Sequence, residues 1–86
     1  MARFLIERNF AEEVELNKTA ADDIKRINGD ENIKWLFSFL SADKKKTYCL
    51  YEAPNAEAIR TAARRLNIPA DVIVEVGSEL RPEMFN

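Results

Sequence analysis

The chain has 86 residues, 47% hydrophobic and 33% charged. That balance fits one globular domain and excludes a disordered chain. The formal net charge of −2 gives no electrostatic reason to expect nucleic-acid binding.

Other classes fall away as quickly. No apolar run reaches the roughly 18 residues of a membrane span, and the opening residues lack the apolar core of a secretory leader. The single cysteine, Cys49, cannot close a disulfide within the chain. A cytoplasmic domain over residues 1–86, with a polar tail from about residue 78, is expected.

From Arg3 to Phe10 the chain alternates. Phe4, Ile6 and Phe10 share one parity, Arg3, Glu7 and Asn9 the other, and Leu5 is the exception. That is a strand covered on one face. After a polar connector, Thr19 is the expected N-cap of a helix carrying Ala20, Ile24 and Ile27, ending at Asn28-Gly29.

Residues Ile33 to Ala42 read as a strand apolar on both parities, with Trp35, Phe37 and Phe39 on one and Leu36, Ser38 and Leu40 on the other. Asp43 and the three lysines after it turn the chain into a strand over Thr47–Ala53. Pairing Ala42 with Thr47 would set Phe39 opposite Leu50 and Phe37 opposite Glu52.

Pro54 ends that strand and Asn55 caps a second helix, whose buried stripe is Ala58, Ile59, Ala62, Ala63 and Leu66. Val72–Val76 makes the last strand.

The order β-α-β-β-α-β predicts an α+β, ferredoxin-like fold: a four-stranded antiparallel sheet with two helices on one face. Leu5, Leu50, Ile73 and the aromatics of the second strand cannot all fit beneath the helices. A homodimer through the open sheet face is therefore expected.

The residues offer little familiar chemistry. Histidine is absent, which removes the usual general base and the commonest transition-metal ligand. No catalytic residue is assigned. Trp35, Phe37, Tyr48 and Glu52 are the candidate ligand residues, aromatic walls beside a carboxylate. Glu7, Glu52 and Glu75 share a parity on three strands and could meet on the open face, with Glu7 and Glu52 the candidate metal ligands.

Several runs are more specific than composition. Trp35-Leu36-Phe37-Ser38-Phe39-Leu40-Ser41-Ala42-Asp43, then Thr47-Tyr48-Cys49-Leu50-Tyr51-Glu52-Ala53-Pro54 and Glu57-Ala58-Ile59-Arg60, resemble the family called "domain of unknown function four-two-four-two". Phe4-Leu5-Ile6-Glu7-Arg8-Asn9-Phe10 and Ile68-Pro69 with Val74-Glu75-Val76 resemble it too.

The resemblance implies a dimeric ferredoxin-like fold and a link to nickel, since the family includes a nickel-binding protein. It also marks a departure. Many family members carry histidine where this chain has Phe37 and Ala62, so the resemblance leaves Glu7 and Glu52 as the family-matching positions still able to ligate.

Three functions follow as expectations. The first is a dimeric domain binding a small ligand or a divalent metal such as nickel. The second is an enzyme of the dimeric α/β-barrel type using a carboxylate and a tyrosine, and the third a pure assembly module.

Overall fold

Alternation in the first strand decides which way the sheet faces. In the computed structural model, which describes residues 1–85, β1 (Ala2–Asn9) buries Phe4, Ile6 and Arg8 and turns Arg3, Leu5 and Asn9 outward. There follow α1 (Lys18–Asp30), β2 (Lys34–Leu40), β3 (Lys46–Ala53), α2 (Ala56–Leu66) and β4 (Val72–Val76). A short 3-10 turn occupies Pro82–Phe85.

The strands lie in the order β2-β3-β1-β4, and every neighbouring pair is antiparallel. The helices pack on each other and on β2 and β3, closing one face of the sheet. This is the ferredoxin-like arrangement expected from the sequence. Its core is a single cluster that includes Phe4, Ile6, Ile27, Cys49, Tyr51 and Ile59.

Local chemistry sets the helix ends. Asn55 accepts a hydrogen bond from the Ala58 amide at 2.8 Å, capping α2 as expected. Asn67 ends it in the left-handed region, at φ 56°. Ile59, Ala62 and Ala63 are buried, the small alanines letting the helix sit close.

The first helix corrects the expectation. Asn17, not Thr19, is the N-cap: its backbone is extended and its side chain accepts from the Ala20 amide at 2.8 Å. Nor does Asn28-Gly29 stop the helix. It continues to Asp30, and the reversal falls on Asn32 at φ 59°. Arg65 of α2 then reaches Asp30 at 3.0 Å and Glu31 at 3.3 Å, tying the two helix ends together.

The central hairpin also differs. Phe39 lies opposite Tyr48, Phe37 opposite Leu50, and Leu40 opposite Thr47. The expected register was two residues off, because Ser41 and not Ala42 closes the loop. The Ser41 amide donates to the Lys46 carbonyl at 2.9 Å, and the Lys46 amide donates to Ser41 Oγ at 3.0 Å.

Asp43 organises the tip, accepting from Ser41 Oγ at 2.6 Å and from the Lys45 amide at 3.0 Å. The Ser41 bond foremost, then the Lys45 amide, hold its carboxyl below the ordinary aspartate range. A shift of two residues keeps faces intact.

The bulge between Trp35 and Phe37 does not. It skips Leu36 and so reverses parity within β2.

Candidate binding face

The registers lay out the open face in three rows, each crossing all four strands. The middle row is Phe37, Leu50, Leu5 and Val74, wholly apolar. On one side runs Phe39, Tyr48, Glu7 and Val72; on the other, Lys34, Glu52, Arg3 and Val76. The last row alternates in sign across three strands.

Five large apolar side chains here stand 42% to 67% exposed: Leu5, Phe37, Phe39, Val72 and Val74. Phe37 and Phe39 meet edge to face, their centroids 5.6 Å apart. No helix covers any of them, since both helices lie on the opposite face.

The candidate ligand residues divide between the two faces. Phe37, Tyr48 and Glu52 lie on the open face, in adjacent rows. Trp35 does not join them: it sits opposite Tyr51, packs on the core, and donates its indole N–H to Ser38 Oγ at 2.9 Å. The bulge after Trp35 is the reason, because strict alternation would have aligned it with Phe37. Tyr48 lies beside Lys46, whose ammonium is 6.0 Å from the ring centroid.

The three carboxylates do not converge. Glu7 accepts from Asn9 Nδ2 at 3.4 Å and lies 3.9 Å from Lys46 Nζ. Glu52 is opposite Arg3, and Arg3 is four residues before Glu7 on the neighbouring strand, so the two carboxylates' backbones stand roughly 14 Å apart. Glu75 is opposite Phe4 and so belongs to the helix face at the sheet's edge. Ile73 is likewise opposite Ile6, on the helix side rather than the open one.

Beneath the helices lies a polar group that the sequence pattern conceals. Arg8, 3% exposed, donates to the Pro69 carbonyl at 2.6 Å and to the Tyr51 hydroxyl at 3.1 Å. Its guanidinium also sits 5.6 Å from the Tyr51 ring centroid. Burial pushes the Tyr51 hydroxyl above its ordinary pKa, against the opposing pull of Arg8, so it stays protonated.

Asn28, also buried, has neither side-chain polar atom in a well-formed hydrogen bond, although it lies close enough to the Tyr51 hydroxyl to pull that group's pKa down. Such an orphaned amide costs about 1–3 kcal/mol. Asn28→Leu is therefore expected to stabilise the domain by about 1 kcal/mol or more, raising the urea midpoint without changing the slope. A lower midpoint would show that the amide is engaged. The signal for Arg8 was present, since it shares the parity of Phe4 and Ile6, but its charge argued for solvent.

The profile of the family described as "Nickel responsive protein SCO4226-like" matches residues 4–76. The chain belongs to the SCO4226-like family. It is the family that the aromatic strand and the Tyr-Cys-Leu-Tyr-Glu-Ala-Pro run resemble.

The crystal structure of SCO4226 from Streptomyces coelicolor A3(2) superposes with a TM-score of 0.78 at 25% identity. The match covers 92% of this chain and all of that one. Comparison with curated proteins gives no match.

The family name raises nickel, and the donor set answers poorly. Among the described residues no group of three or more His, Cys, Asp or Glu is placed to hold a metal ion. With no histidine in the chain, Cys49 buried, and Glu7 and Glu52 in separate rows, one chain of this family member does not fit nickel. No helix among the described residues is long and apolar enough to cross a membrane.

Proposed function

We propose that this member of the SCO4226-like family is a homodimeric binding domain, its open sheet face covered by a second copy. The observation that carries the reading is the wholly apolar row Phe37-Leu50-Leu5-Val74, left uncovered by both helices. Contiguous apolar surface of that kind marks a partner site in folded proteins.

A sheet face also suits an isologous contact, because a two-fold axis through the middle row matches apolar to apolar. With that axis parallel to the strands the charged row can answer itself, Arg3 of one copy facing Glu52 of the other.

The ligand site in this reading lies at the β2 side of the interface, where Phe37 and Tyr48 supply ring faces and Glu52 a carboxylate. A small organic molecule with an apolar body and a hydrogen-bond donor suits these groups. A divalent metal suits them less well, because Glu7 and Glu52 cannot share one ion within a chain.

Calorimetric titration with nickel tests that choice. Nickel is expected to give no saturable heat at micromolar protein, with Glu52→Gln indistinguishable from the parent. Stoichiometric binding abolished in Glu7→Gln or Glu52→Gln would restore the metal reading and displace the organic ligand.

A further inference from the structure

The segment after β4 presents a second set of uncovered apolar groups. Leu80, Met84 and Phe85 are 77%, 59% and 71% exposed, so the segment has not folded onto its own sheet. Its charges are partly cancelled, Arg81 Nε donating to Glu79 at 2.8 Å. The family profile ends at residue 76, which places these residues outside the matched region. An expectation of a merely polar tail does not account for three large apolar side chains within six residues.

We infer that Leu80, Met84 and Phe85 of one copy clasp the open sheet face of a second copy, an inference that rests on the homodimer proposed above. Area supplies the first argument. Four strands spaced about 4.8 Å apart and about five residues long present a footprint of roughly 320 Å2 per copy, or roughly 640 Å2 for the two faces of a sheet-to-sheet dimer. Stable specific interfaces need roughly 1,200–2,000 Å2. Two clasping segments, each with one aromatic and two aliphatic side chains, add roughly 600–800 Å2 and bring the contact into that range.

Reach supplies the second. Packed sheets lie roughly 10 Å apart, whereas the five residues from Gly77 to Arg81 alone can span roughly 16 Å when extended, ahead of the short turn at Pro82–Phe85 that carries Met84 and Phe85. Val76, the last residue of β4, already belongs to the open face. The segment therefore leaves the sheet at the rim of the proposed interface, on the edge strand nearest solvent.

Sedimentation equilibrium on the full chain, on a chain ending at Ser78, and on the triple variant Leu80→Ser/Met84→Ser/Phe85→Ser tests the clasp. Circular dichroism confirms that each variant is folded. Both variants are expected to weaken dimerisation at least tenfold. A dissociation constant within twofold of the parent, or a tighter one, overturns the clasp while leaving the dimer intact. A monomeric parent instead overturns the dimer itself.

Isotope-filtered NMR on a mixed labelled and unlabelled sample fixes the direction of the contact. Contacts from the Met84 methyl to Phe37 or Phe39 are expected between copies, and their appearance only within one copy overturns the clasp.

Discussion

Phe37→Asp is expected to yield a folded monomer. Phe37 heads the apolar row and is 51% exposed in the single chain, so an aspartate there is solvated and costs the monomer little. In the proposed dimer the same carboxylate would be pressed against the apolar row of the other copy. An unpaired buried charge of this kind costs several kcal/mol. Each roughly 1.4 kcal/mol is tenfold in affinity, so the dimer constant should weaken by at least ~100-fold.

A charge change at Glu13, exposed in the connector between β1 and α1, should leave association unchanged. Analytical ultracentrifugation reads both variants. Phe37→Asp associating as tightly as the parent would place the interface elsewhere.

Ile6→Ala carries the largest expected effect on stability. Ile6 is 0% exposed and lies opposite both Cys49 of β3 and Ile73 of β4, at the middle of the sheet's helix face. Truncating it removes three carbons from the core cluster, and the antiparallel ladders on both sides limit how far the backbone can close the gap. Substitutions of this type cost about 2–5 kcal/mol.

A domain of this size has a total stability near the low end of about 5–15 kcal/mol, so the variant should be partly unfolded under mild conditions. Because association adds to apparent stability, the measurement belongs in the Phe37→Asp background, by urea titration. A loss below about 1 kcal/mol would mean that Ile6 is not a keystone of the core.

Most of the fold was legible because the strands alternate and the second helix is capped at both ends. Pro54-Asn55 sets the start of α2, and Val72–Val76 matches β4 residue for residue. What the pattern could not carry was the bulge. A single skipped residue at Leu36 moves Trp35 under the helices while leaving Phe37 outside, and no residue type in that run announces it.

The start of α1 was misplaced for a different reason. Thr19 and Asn17 are both good caps, and only the extended backbone at Asn17 decides between them.

The candidate site was legible in part. Phe37, Tyr48 and Glu52 were placed on a common face by parity, and Leu5 hinted at that face by breaking the alternation of β1. Glu75 misled, because matching parity within separate strands says nothing of which face each strand presents until the register between strands is known. Arg8 and Asn28 were hidden by composition, since buried polar groups look like surface ones in a sequence. The partners of Arg8, the Pro69 carbonyl and the Tyr51 hydroxyl, are more than 40 positions away.

The proposed function turns on whether the open face meets a second copy. Sedimentation equilibrium of the unmodified chain at tens of micromolar is the direct measurement. The account predicts twice the 9.9 kDa chain mass; a single species at the chain mass would contradict it.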